Sequence, residues 1–300
     1  MEFTLIRFII KIIRPYILLE GILVYALGVS LARFLGNPID WGLVILGQIW
    51  VTTFQAGSHF LEAYFCHSTD PKDPRRFHIE TDETHEGIRR DIALWLSLAL
   101  YAATASLTLA LIQNTDLNIA GIVLMALIFI GSVIYSVPPF QFVSSGYGEL
   151  VQSIIIASLI PGIGFILQTG EIHRLVAMIT FPIITLHLAM SIALQFSRFA
   201  SDTRKKNNTL LVRLGWERGL IFHNLLILGS FLLMGAAMLF GLPASIAIPT
   251  YAVLPLGLFQ IWYLSRIGAG AKPNWRALNA TAILMFGLTV YLLLFRLLTR

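Results

Sequence analysis

Two short stretches of this chain carry the residue types that chemistry needs. In Gly57-Ser-His-Phe-Leu-Glu-Ala-Tyr-Phe-Cys-His-Ser-Thr-Asp70, the residues Glu62, Cys66 and Asp70 recur every fourth position. On a helix that spacing makes one stripe of carboxylate, thiol and carboxylate, with His59 one turn before Glu62. In Gln195-Phe-Ser-Arg-Phe-Ala-Ser-Asp-Thr-Arg-Lys-Lys206, Arg198 and Asp202 also stand one turn apart. Both stretches lie where an apolar helix gives way to charge, so two polar helix ends are expected at one shared site. His59, Cys66 and His67 invite a zinc reading. However, the adjacent Cys66 and His67 leave a helix on different faces and no second cluster completes a tetrahedral set, so zinc is not expected.

The elements that must position these residues are membrane spans. Of 300 residues, 57% are hydrophobic and 12% charged, with a mean hydropathy of +0.78. Apolar runs repeatedly reach about 20 residues, the length that crosses a bilayer and well beyond a buried helix of a soluble protein. The expected fold is all-α: a polytopic membrane protein of about nine transmembrane helices around a central cavity. The spans read as 15–35, 42–65, 91–113, 118–137, 148–168, 175–196, 217–240, 244–264 and 278–297. With the N-terminus cytoplasmic, only Arg33, Arg174, Arg296 and Arg300 fall on the outer side, and every other Lys and Arg faces the cytoplasm. That bias predicts an integral, multi-pass protein of the cell membrane with its N-terminus inside and its C-terminus outside. The net charge of +5 then reads as topology and contact with anionic lipid, and a nucleic-acid partner is not implied. Cys66 is the only cysteine, so no internal disulfide can form, and no cleavable signal peptide is expected before the first span.

Residues 1–300 are expected to form one domain, with a loose internal repeat relating spans 1–4 to spans 5–8: polar helix ends follow spans two and six. The loop 67–90, rich in both charge signs, reads as a cytoplasmic lid of partial helix. Within the spans, Glu20, His187 and His223 are functional candidates because ionisable groups in lipid are costly, and they support a transporter or channel as a third reading. Glu20 is expected to be hydrogen-bonded inside the bundle. Gly and Pro in Ile160-Pro-Gly-Ile-Gly164 are expected to mark close packing and a kink.

Several motifs together resemble the UbiA superfamily of intramembrane prenyltransferases. Arg14-Pro15 resembles the family's Arg-Pro before the first span. His59 to Asp70 aligns without gaps on its first Asp-rich motif, Asn-x3-Asp-x3-Asp. Tyr135-Ser-Val-Pro-Pro139 with Gly146-Tyr-Gly-Glu149 is similar to the segment after span four. Phe196 to Asp202 with Thr209-Leu-Leu-Val-Arg-Leu-Gly215 resembles the second motif and its tail. The resemblance implies a cavity open sideways to lipid, in which Mg²⁺ and a polyprenyl diphosphate meet an aromatic acceptor. It implies Glu62, Asp70 and Asp202 as catalytic and metal-holding residues. Arg198, Lys205, Lys206, Arg75, Arg76, His59, Tyr64 and Tyr135 become substrate-binding residues, with Phe54, Phe65 and Phe196 as further candidates to line a prenyl tunnel.

The chain departs from this pattern. Glu62 stands at the Asn position, Cys66 at the middle Asp position and Arg198 at the leading Asp position of the second motif. A thiol is a poor Mg²⁺ ligand, and Arg198 beside Asp202 repels a cation. The leading reading is a lipid- or isoprenoid-binding pseudoenzyme holding a membrane lipid or an isoprenoid, quinone or pigment tail, with lost or altered catalysis and as a possible subunit of a membrane complex. The alternative is an active prenyltransferase using Mg²⁺, with Arg198 clamping the diphosphate. In the resting protein Arg198 is expected to pair with Asp202 or Asp70.

Overall fold

The computed structural model describes residues 12–65, 83–115, 117–205 and 207–299. Among the described residues the chain is helical, and nine long helices alternate in direction: α1 (Pro15–Phe34), α2 (Trp41–Phe65), α3 (Glu83–Asn114), α4 (Ile119–Ser136), α5 (Gly148–Thr169), α6 (Arg174–Phe196), α7 (Trp216–Leu239), α8 (Ala244–Gly268) and α9 (Trp275–Leu298). Eight of them are long and apolar enough to cross a membrane unaided. The other, α2, carries Gln48, Thr52, Thr53, Gln55, Ser58 and His59. Part of that polarity is met nearby: Thr52 Oγ1 donates to the Gln48 carbonyl at 2.9 Å, and Thr53 Oγ1 accepts from Thr104 Oγ1 of α3 at 3.1 Å.

The third span starts earlier than the expected residue 91: α3 begins at Glu83 and runs 32 residues, so the end of the segment 67–90 is helical, in keeping with the partial helix expected there. At helical rise its length is about 48 Å. That exceeds the ~30 Å hydrocarbon core, so the charged first turns stand beyond it. Residues 66–82 of the expected lid lie outside the described residues.

α1, α5, α6 and α9 form the inner set: α1 packs on α2, α5 and α9, and α6 packs on α7 and α9. The apolar window of α5 is 67% buried, against 22% for α3, which turns most of its surface outward. The closest approach joins α1 to α5. A Cβ on Gly28 would collide with the Pro161 carbonyl, and one on Gly164 would stand 2.5 Å from the Tyr25 carbonyl oxygen. Small residues let the two backbones meet as lipid-embedded helices require. Around them α5 takes a π-helical turn over Ile155–Leu159 just before Pro161, a local widening that accommodates a proline in mid-helix. The stretch Ile160 to Gly164 therefore does the packing expected of it.

Outward faces carry large apolar residues such as Leu19, Trp95, Ile119, Leu232 and Leu239. The protein is an all-α, multi-pass membrane protein. Replacing Gly28 with Leu is expected to cost about 2 kcal/mol or more through overpacking, lowering the thermal unfolding midpoint in detergent. Gly229→Ala meets nothing within 4 Å and is expected to leave that midpoint level or slightly raised.

Candidate functional site

The charge-rich ends of α1, α2, α4, α5 and α6 surround a cavity of about 160 Å³. α1 contributes Arg14 and Glu20, α2 contributes Glu62, and α4 contributes Tyr135. Glu149 and Gln152 come from α5, His187, Ser191 and Gln195 from α6, and Arg198, Asp202 and Thr209 from the segment that follows.

Each acid in this cavity is met by a group from elsewhere. Arg14 Nη1 lies 3.6 Å from Glu62 Oε2, and His59 Nδ1 lies 3.8 Å from the same oxygen. Arg14 reaches it from a backbone held in the left-handed region, φ 50° and ψ 76°, directly before Pro15. That conformation costs a non-glycine residue about 1–2 kcal/mol, so surrounding packing must hold it there. Deeper in the bundle His187 Nε2 sits 2.9 Å from Glu20 Oε1, while its Nδ1 is 2.8 Å from Ser153 Oγ. Glu20 thus stands beside His187 inside the bundle, although its Oε1 takes no hydrogen bond there. His223 is buried beside Asn224, 3.0 Å from its Oδ1.

Glu149 organises the far wall. Its Oε1 accepts from Gln195 Nε2 and its Oε2 accepts from the Leu210 amide at 3.3 Å. Gln195 Oε1 accepts from the Leu211 amide at 3.0 Å. An acid in the first turn of α5 is favoured by the helix dipole, and here it also fastens the segment after Asp202. Arg213 continues the clasp by donating to the Ser145 carbonyl at 3.0 Å and lying 4.4 Å over the Tyr147 ring. Asp202 is buried and accepts from Asn207 Nδ2 at 3.2 Å.

The structure brings Glu62, Asp202, Arg198 and Tyr135 to this one cavity, and His59 lines the chamber that adjoins it. Spans two and six therefore do end at a shared site. Of the pairing expected for Arg198 with Asp202 or Asp70, the one with Asp202 does not form and Asp70 lies outside the described residues; among the described residues Arg198 makes no ion pair, and it is exposed at the cavity wall. α6 stops at Phe196 and a turn follows, after which Arg198 caps a new short helix, Phe199–Arg204; Asp202 is one turn on, its amide bonded to the Arg198 carbonyl at 2.8 Å, yet Asp202 is buried while the Arg198 side chain is exposed.

Tyr64 is also displaced from its expected role. It packs edge-on against Phe65 at 4.8 Å, with the Arg90 guanidinium 5.6 Å above its ring, and lines neither cavity. Phe196 is buried against Trp216 and His223, and Phe65 likewise stays off the lining, while Phe54 lines the inner chamber. Lys205 lies off both linings. Asp70, Cys66, His67, Arg75, Arg76 and Lys206 lie outside the described residues.

Sequence reasoning missed Arg14, Glu149 and Gln195 as site residues. Each had a visible signal: an Arg-Pro at a span start, an acid opening α5 after Gly146-Tyr-Gly, and an amide in the last turn of α6.

Among the described residues no three of His, Cys, Asp and Glu group closely enough to hold an ion, and Glu62 is faced by Arg14 and His59; Asp70, a metal ligand by resemblance, lies outside the described residues.

Fold and cavity define a polytopic membrane protein with a charged intramembrane site. Its fold is that of the UbiA homologues. A UbiA homologue from Archaeoglobus fulgidus bound to GPP and Mg²⁺ matches with a TM-score of 0.70 over 98% of this chain and 100% of its own, at 16% identity. A digeranylgeranylglyceryl phosphate synthase matches at 0.61 over 98% and 97%, with 12% identity. The apo structure of a UbiA homologue from Aeropyrum pernix K1 matches at 0.57 over 90% and 96%, with 13% identity. No protein-family model matches the chain and no curated protein matches it in sequence.

Glu149→Ala is expected to strip the acceptor from the Leu210 amide and release Gln195, at a cost of about 1–3 kcal/mol. Hydrogen exchange should then accelerate at Leu210 and Leu211 while α1 amides keep their protection. Unchanged exchange at Leu210 would show that Glu149 does not hold this segment.

Proposed function

We propose that the protein binds an isoprenoid lipid with an anionic head group, as a member of the UbiA prenyltransferase family in which metal-dependent catalysis is lost or altered. The observation that supports this most is the charge inside the cavity. Two arginines, Arg14 and Arg198, line the space together with four acids, Glu20, Glu62, Glu149 and Asp202; Glu20 is faced by His187, Glu62 by Arg14 and Glu149 by Gln195, so the exposed Arg198 is the cation that meets an incoming head group. A guanidinium fork binds phosphate oxygens bidentately and keeps its charge at any physiological pH, so positive charge at this mouth can come from side chains. The apolar lining residues Ile17, Met190 and Leu194 give the hydrocarbon body a wall to follow. Solved homologues of this fold are bound to GPP or DMAPP with Mg²⁺, which supports the isoprenoid class of ligand. The Lys and Arg bias between the two sides supports a cytoplasmic mouth, and a binding role is compatible with service as a subunit of a membrane complex.

The purified protein in detergent is expected to bind GPP with micromolar affinity equally in EDTA and in Mg²⁺, read by calorimetry. Arg198→Ala should weaken binding about tenfold, corresponding to ~1.4 kcal/mol for one charged contact. Glu62→Gln should leave it unchanged or tighter, because it frees Arg14. Mg²⁺-dependent consumption of GPP with transfer to a small aromatic acceptor would overturn this reading and establish an active prenyltransferase.

A further inference from the structure

The positive charge of this chain is unevenly placed. Residues 218–300 hold six Lys or Arg and no Asp or Glu, whereas the 217 residues before them hold fifteen of the first kind and sixteen of the second. The cationic excess therefore lies in the last three helices. Of the six, Arg296 falls in the last turn of α9 and Arg300 lies outside the described residues. The other four, Arg218, Arg266, Lys272 and Arg276, stand at the opposite end of the bundle, where α7 starts, α8 ends and α9 starts.

These three helix ends are packed into one edge. Trp216 of α7 and Trp275 of α9 meet with ring centroids 6.4 Å apart, and a Cβ on Gly268 of α8 would stand 3.0 Å from Leu220 Cδ1 of α7. The turn between α8 and α9 folds back on α8: the Asn274 amide donates to Tyr263 Oη at 2.8 Å, and the Ala271 amide to the Arg266 carbonyl at 3.0 Å. All four cations are exposed on this edge. Among the described residues none of the four makes an ion pair, and Glu217 is the one carboxylate that α7, α8 and α9 carry. None of the four lines the charged cavity.

Aromatic surface adjoins the cations. Trp262 is 56% exposed and Phe259 42%, and the Arg266 guanidinium lies 5.9 Å over the Trp262 ring. Trp262 stands about 9 Å from the end of α8 at helical rise, the depth at which indoles sit in the membrane interface. Long cationic side chains at such a helix end reach out to the level of the lipid phosphates. An acidic protein segment would meet the cations and not the rings below them, whereas a phospholipid meets both.

We infer that the edge formed by α7, α8 and α9 is a binding site for an acidic phospholipid of the adjoining leaflet. Its phosphate lies among Arg218, Arg266, Lys272 and Arg276, and its acyl chains run along Trp262 and Phe259. The site is separate from the charged cavity and does not rest on the isoprenoid reading of that cavity.

The test mixes the full-length protein in dodecylmaltoside with dioleoylphosphatidylglycerol or dioleoylphosphatidylcholine, which share their acyl chains, and reads retained lipid by native mass spectrometry. Each cation near an anionic surface strengthens attachment about fivefold, so phosphatidylglycerol is expected to bind about tenfold tighter or more. The triple variant Arg266→Gln, Lys272→Gln, Arg276→Gln should bring it down to the level of phosphatidylcholine. Arg174→Gln with Arg296→Gln, at the other end of the bundle, should leave the preference intact and so controls for net charge. If the triple variant fails to fold, a photoactivatable phosphatidylglycerol on the unaltered protein reads the site directly, with crosslinks expected within residues 216–220 and 259–276. Equal retention of the two lipids, a preference that survives the triple variant, its loss in the control pair, or crosslinks elsewhere would overturn the inference. So would displacement of the lipid by millimolar inorganic phosphate or by hexaglutamate, which would assign the edge to a free anion or to an acidic protein segment. GPP affinity is expected to be the same in the triple variant, and a parallel fall would make the two sites one.

Discussion

An acid held inside a bilayer must find a partner, and in this protein the partners come from different helices. Glu62 of α2 is faced by Arg14 from the start of α1, Glu20 of α1 by His187 of α6, and Glu149 of α5 by Gln195 of α6. Leaving any of these groups unmet in a low dielectric costs far more than it would in water. The polar cavity and the helix arrangement therefore depend on each other: the bundle keeps the charges together, and the charges fix which helix ends converge.

Packing supplies the counterweight. Around a polar interior, lipid offers no hydrophobic force to draw helices together, so close contact elsewhere has to do so. The Gly28–Pro161 and Gly164–Tyr25 approaches bring α1 and α5 nearly backbone to backbone. Farther along, Ser230 Oγ donates to the Pro182 carbonyl at 2.8 Å, joining α7 to α6, and Tyr101 pairs with Ser132 at 2.5 Å, joining α3 to α4. These contacts lie away from the charged ends of α1 and α5 that line the cavity.

The two segments that best resemble known prenyltransferases away from the acidic motifs turn out to be one structural unit. Ser145 bridges Asn208, Arg213 reaches back to Ser145, and Glu149 holds Leu210. Together they build one wall of the charged cavity, to which Glu149 and Thr209 contribute.

Much of this was legible in the residues themselves. Eight of the nine spans lie within a few residues of where hydropathy put them, because twenty consecutive apolar residues have few other fates, while α3 starts eight residues early. The motif spacings also placed Glu62 and Asp202 at one site, since each ends a span on the same side. What periodicity could not decide was the geometry at helix ends. The break after Phe196 put Arg198 on a new helix, and the extension of α3 back to Glu83 shortened the polar loop. Such ends are set by capping and by contacts with distant segments, which a local pattern does not contain. Nor could the sequence say that Arg14, Glu149 and Gln195 would meet the site, or that Tyr64 would turn to Arg90. Those outcomes depend on how helices far apart in the chain are rotated against one another, and only the folded bundle settles that rotation.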